Sequence, residues 1–206
     1  MNYSVLLAKF TDDKEGNQAF EKLSKGSFND SYLVNQMILA VRKDDKLEIE
    51  DIFDSGKDTR DDAILGGIIG GLFGIFSGPI GFLLWGSLGM AIGNVKDTSD
   101  AVEDMSLLER VSQLLGSGEL AILALVEEDD LDVIDILLKE YDAEVVRFDA
   151  SEVQYEVDKA NELQEELEKE TKDKMREERS GARKEKLEEI KNKIKEEFKN
   201  LRSIVK

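Results

Sequence analysis

Carboxylates are the most abundant reactive groups in this chain, with 46 Asp+Glu against 28 Lys+Arg and a formal net charge of -18. They occur in pairs and runs: Asp12-Asp13, Asp44-Asp45, Asp61-Asp62 and Glu127-Glu128-Asp129-Asp130. Clustered carboxylates can hold a hard cation such as Ca2+, but that chemistry wants several oxygens in one loop with a sharp glycine turn. No D-x-D-x-D-G loop occurs, so these residues read as solvated turns and helix starts. The chain has neither histidine nor cysteine. That removes imidazole bases and ligands, thiolate nucleophiles and disulfides. Ser77, Ser87 and Ser99 therefore have no imidazole to activate them. No G-x-x-x-x-G-K loop ending in Ser or Thr is present, and no lysine lies between Ala63 and Val95, which argues against a phosphate-binding loop there. The sequence thus predicts a protein that is not an enzyme, with no catalytic residue, no metal site and no cofactor.

What remains is the chemistry of close packing. Gly66, Gly70, Gly74 and Gly78 recur every four residues and form one ridge on a helix; Gly67 and Gly71 widen it. Gly81, Gly89 and Gly93 repeat the spacing, with Trp85 at the missing position. The stretch Ala63–Val95 carries no charge and ten glycines in 33 residues, with the only proline, Pro79, near its middle. This predicts two helices, about Ala63–Ser77 and Ile80–Val95, folded back on each other. Glycine discourages helices in water unless close backbone packing compensates. Small-xxx-small faces supply that compensation, and the Ile, Leu and Phe residues between them must then face lipid or protein. Each arm reaches only roughly 23–24 Å at about 1.5 Å per residue, short of the roughly 20 residues that a crossing helix needs. Three arrangements fit: a shallow membrane hairpin, a shared apolar core in a soluble homo-oligomer, or a pore-like assembly. Trp85 reads either as a membrane-interface residue or as simple packing.

The elements around this segment follow from periodicity. Tyr3–Phe10, Leu33–Val41, Leu47–Phe53, Glu119–Val126 and Ala143–Phe148 read as strands, the second and third as a hairpin around Lys43-Asp44-Asp45-Lys46. A helix capped by Asp13 runs through Ala19, Phe20 and Leu23 to a stop at Gly26. Val102–Leu115 and Leu131–Tyr141 are further helices, the former ended by Gly116-Ser117-Gly118. The order predicts an α+β, ferredoxin-like sandwich over residues 1–150, interrupted by the hairpin at 63–95 as an insertion. The body is expected to fold independently of that insertion.

Residues 151–206 read as one long charged helix, with a kink or break signal at Ser180-Gly181. Leu187, Ile190, Ile194, Phe198, Leu201 and Val205 are spaced 3, 4, 4, 3 and 4, a heptad seam. Val157, Ala160, Leu163 and Leu167 form a weaker stripe upstream. Charge divides the same way. Residues 1–150 hold 13 Lys+Arg against 30 Asp+Glu, a net of -17, whereas residues 171–206 hold 13 against 8, a net of +5. The acidic body predicts no nucleic-acid partner, because such binding runs through Lys and Arg. The C-terminal arm is expected to self-associate or to meet a partner helix, an acidic surface or anionic lipid. Membrane lipid and further copies of the chain are the expected partners of the hairpin. The start Met1-Asn2-Tyr3-Ser4-Val5 lacks a basic secretory n-region. The expected location is membrane-associated with the soluble parts in the cytoplasm, the alternative being wholly cytoplasmic.

The N-terminal strand Tyr3–Phe10, the acid-flanked glycine-rich insertion, and the strand Glu119–Val126 followed by helix and strand together resemble the domain-of-unknown-function 1269 family. The likeness covers roughly residues 3–150 and implies a predicted membrane protein of bacteria or archaea. It implies no catalytic residues, and the C-terminal helix lies outside that family's usual core.

Overall fold

A computed structural model describes residues 2–27, 31–44, 46–56, 62–85 and 107–175. Strand β1 (Asn2–Phe10) leads through helix α1 (Asp13–Lys25) to β2 (Tyr32–Lys43) and its hairpin partner β3 (Lys46–Asp54). Helices α2 (Asp62–Ser77), α3 (Pro79–Leu83) and α4 (Leu107–Leu114) follow. Then come β4 (Leu120–Glu128), α5 (Leu131–Lys139), β5 (Glu144–Asp149) and α6 (Ala150–Met175). The five strands form one antiparallel sheet in the order β3-β2-β4-β1-β5. The protein is therefore α+β. Helix α1 joins β1 to β2 with β4 between them, and α5 joins β4 to β5 with β1 between them.

Period-two alternation sends the side chains of each strand to two faces, and both faces are apolar. In β1, Leu6, Ala8 and Phe10 point to one face, while Val5 and Leu7 point to the other. The central strand β4 is apolar on both sides, so it reads as a continuous run from Leu120 to Val126. One face is covered by α1 and α5 through Ala19, Phe20, Leu23, Ile134 and Leu138. The other is covered by α2, α3, α4 and α6 through Ile68, Leu72, Ile75, Phe76, Ile80, Val111, Val153 and Val157.

In this second core the described part of the glycine-rich segment packs against the body that the sequence suggested it merely interrupts. The glycine-rich segment is one of the layers that close the sheet. The first predicted arm, Ala63–Ser77, agrees with α2. The second is described only as far as Trp85, so the predicted helix to Val95 lies mostly outside the described residues. Trp85 is buried: its Nε1 donates to the Phe76 carbonyl at 3.1 Å, and the two rings stack with centroids 5.3 Å apart. The Arg42 guanidinium covers the outer side of the indole, 4.5 Å from its centroid.

Caps fix where the helices begin. Asp12, one residue before the position predicted from sequence, accepts from the backbone N–H groups of Lys14 and Glu15 at 2.8 and 3.3 Å. Gly26 ends α1 as expected, its N–H donating to the Lys22 carbonyl. The start of α4 is capped from another element: the buried Glu156 carboxylate of α6 accepts from the N–H groups of Leu107 and Leu108 at 3.1 and 3.3 Å. Asp149 caps α6 through the N–H groups of Ser151 and Glu152 and through the Ser151 hydroxyl. That hydroxyl, with the two backbone donors, holds the Asp149 carboxyl below the usual carboxylate range.

Two outcomes follow. Leu72→Ala should lower stability by about 2–5 kcal/mol in urea titration, because Leu72 is fully buried between α2 and the sheet; removal of residues 63–95 should abolish the cooperative transition altogether. Asp149→Ala should cost about 1 kcal/mol at neutral pH. Because the folded-state carboxyl titrates lower than the unfolded one, that advantage is full above the unfolded value near 4 and is lost as pH falls through the folded one. The wild-type and variant stability curves should therefore converge in acid.

Candidate docking face on the glycine-rich helix

Helix α2 has three sides with different fates. Ile68, Ile69, Leu72, Ile75 and Phe76 form the inward side and are buried. A second side meets α6. A Cβ built on Gly71 would lie 2.5 Å from Val157 Cγ1, and one built on Gly78 would lie 2.7 Å from Gln164 Oε1. These two contacts are seven residues apart in both segments, Gly78 standing just past the end of α2, so α2 and α6 run side by side in the same direction. Only glycine permits this approach, since a methyl group at Gly71 would drive into a stiff β-branched side chain.

The third side faces outward. Gly67, Gly70 and Gly74 are exposed, and a Cβ built on any of them would meet nothing within 4 Å. The described residues give no packing reason for glycine here. Each exposed glycine inside a helix costs about 1 kcal/mol relative to alanine, so three of them weigh against α2 with no compensating contact among the described residues. The result is a flat, uncharged strip on a surface that is otherwise strongly acidic. On its α6 side the strip is bordered by Asn161, and the exposed side of α6 carries Asp158, Glu162 and Glu165.

The predicted ridge is thus split by the fold. Gly71 and Gly78 pack on α6; Gly67, Gly70 and Gly74 stay open; Gly81 packs on the carbonyl of Phe76, where the chain turns back after α2. Gly66 belongs to α2, and its surroundings are not among the described residues. Gly89 and Gly93 lie outside the described residues, as does the seam Leu187, Ile190, Ile194, Phe198, Leu201 and Val205. The weaker stripe Val157, Ala160 and Leu163 is buried against the hairpin layer.

Sequence reading missed two polar clusters that hold the site's scaffold. Arg42 donates through Nη1 to the Leu115 carbonyl at 2.6 Å and through Nε to the Asp44 carbonyl at 3.0 Å, while stacking on Trp85. It ties the end of the hairpin layer to β2 and to the turn after α4. Across the sheet, Arg147 forks onto Glu128 with two contacts of 2.9 Å and reaches Asp135 at 2.6 Å. Ser4 adds a hydroxyl donor to the same Glu128 at 3.2 Å. Burial works against the Arg147 charge, but the hydrogen bonds it donates to Glu128 and Asp135, and their negative charges, outweigh it and hold its pKa above the ordinary value. Arg147 interrupts an apolar β5, which was the one available signal; its partners are far away in sequence.

Among the described residues, no helix is long and apolar enough to cross a membrane. Also among the described residues, no three His, Cys, Asp or Glu side chains converge as a metal site. The chain matches no family model, no curated protein and no solved structure.

The two glycine sides of α2 should respond oppositely to one methyl group. Gly70→Ala and Gly74→Ala should each raise stability by about 0.5–1 kcal/mol. Gly71→Ala should lower it by about 1–3 kcal/mol through overpacking against Val157. Chemical denaturation of the three variants checks the sign.

Proposed function

We propose that this protein is a non-catalytic docking module whose helix α2 receives an apolar helix on the strip formed by Gly67, Gly70 and Gly74. The observation that carries this reading is the exposure of three glycines at positions where alanine would fit without contact and would serve the fold better. Residues that weaken a fold without a local reason are expected at functional surfaces. Glycine at four-residue spacing lets a second backbone approach closely, and the absence of charge on the strip avoids a desolvation cost.

The strand order, read without β3, supports a ferredoxin-like reading in which two split β-α-β units interlock. On this reading β3 is an added edge strand, and α2, α3, α4 and α6 form a second helical layer. The arrangement that motivated the likeness to the domain-of-unknown-function 1269 family is part of the same proposal. A membrane role through α2 would be a competing state of the molecule. It would require Ile68, Ile69, Leu72, Ile75 and Phe76 to leave the core they share with the sheet. Assembly through the glycine strip leaves that core intact, which is why docking is favoured over insertion.

The natural chain has no cysteine, so one introduced thiol reports its own surroundings. Gly70→Cys should react with a maleimide at least tenfold more slowly than Lys22→Cys, placed on the exposed side of α1, because an occupant shields the strip. Equal labelling rates at the two positions would show an open strip and would end the docking reading.

A further inference from the structure

The sheet ends in two edge strands, β3 and β5, and an edge strand presents backbone N–H and C=O groups that another strand can pair with. We infer that β5 is an interaction edge, which pairs antiparallel with the β5 of a second copy of this chain. This concerns a different surface from α2 and does not rest on the docking reading above.

The two edges are built differently. Strand β3 carries devices that keep an edge from pairing. It holds Glu48, Glu50, Asp51 and Asp54, and its register against β2 shifts between Leu39 and Ala40, leaving Glu50 as the extra residue of a bulge. Strand β5 has no bulge: its register against β1 is unbroken from Glu144 to Asp149. No proline, glycine or lysine interrupts it, and its interior is Val145, Val146, Arg147 and Phe148. An inward charge such as Arg147 would guard an edge if it needed water. Glu128 and Asp135 already hold this guanidinium, so pairing would not strand it.

Both cores are open sideways at β5. Val146 and Phe148 stand opposite Leu7 and Val5 on the face closed by α2 and α6, whereas Val145 and Arg147 stand opposite Ala8 and Leu6 on the face closed by α1 and α5. All four are only half-buried. The exposed Leu131, whose carbonyl accepts from Arg147, borders the same edge. The unpaired backbone calls for a strand, and half-covered side chains on both faces call for one that is apolar on both sides. A second β5 meets both conditions, and one contact then closes two such edges.

Faces and charge set the register. Directly opposed side chains share a face, so the two-fold axis passes through a residue and not between two. An axis on Val146 sets Val146 against itself, Val145 against Arg147 and Glu144 against Phe148, with no like charges opposed. An axis on Arg147 would set two cations against each other, and an axis elsewhere would shorten the ribbon. The whole chains, each with a formal net charge of -18, repel one another, so association should tighten as salt screens that charge. A ribbon this short lies at the small end of specific interfaces, which places the association in the micromolar range.

The natural chain lacks cysteine, so single thiols test the register in the full chain. Under mild oxidation at equal micromolar concentration, Val146→Cys should form disulfide-linked dimers at least tenfold faster than Glu50→Cys, placed on the exposed β3 edge. Light scattering of the wild-type chain should show dimers, more of them at high salt. V146K, which sets two lysines against each other on the axis, should raise the dissociation constant at least tenfold, with far-ultraviolet circular dichroism and Trp85 emission unchanged. If V146K loses its fold, the comparison of the two thiols decides alone. A wild-type chain that stays monomeric at high salt would overturn the assignment, as would linkage at Val146→Cys no faster than at Glu50→Cys. A dimer that survives a folded V146K would belong to another surface and would overturn it too.

Discussion

A sheet with two apolar faces must be covered twice, and every other feature of this fold follows from that requirement. Strand β4 is buried on both sides along its apolar run, so neither face can be left to water. Helices α1 and α5 are short and close one face. The other needs a wider cover, which the chain assembles from the glycine-rich helix, two short helices and the first turns of α6. The segment that looks most like an appendage is thus a wall of the core.

Glycine serves this wall in two unlike ways. At Gly71 it allows α6 to approach until Val157 sits against the α2 backbone. At Gly67, Gly70 and Gly74 the same residue type is spread over an open surface. The polar clusters have a different task. Glu156 closes the start of α4 across 48 residues of sequence, and Arg42 ties Trp85 to the turn after α4. These links set the position of the wall relative to the sheet, whereas apolar burial supplies its adhesion.

Much of this was legible in the sequence. The five strands, the hairpin around Asp44 and the stop at Gly26 all follow from alternation and turn residues, which act locally. The α+β class follows from their order. The orientation of the glycine ridge was not legible, because a helix with apolar residues on one side and glycines on the other can turn either inward. Periodicity defines faces but does not say which neighbour takes which face. The choice depended on the sheet's unsatisfied side, a property of residues far apart such as Ala40, Leu123 and Leu7. The same nonlocality hid Arg147, whose partners Glu128 and Asp135 belong to other elements. The cap at Asp12 in place of Asp13 is a smaller miss: adjacent carboxylates offer the same chemistry, and the strand's end decides between them.

Trp85 gives the molecule an uneven optical signature. It is the only tryptophan, and it is packed on Phe76 beneath Arg42, within the wall. The opposite layer contains Tyr32 and Tyr141 but no indole. Indole emission therefore watches one side of the sheet alone, whereas the tyrosines sample both: Tyr3 packs on the core that holds Trp85, and Tyr32 and Tyr141 pack on the other. Coincidence of the two signals during denaturation would report that both coverings come away together. A spectral shift of the indole that precedes the tyrosine change would report the wall loosening on its own, seen directly as a change of colour in the unmodified protein.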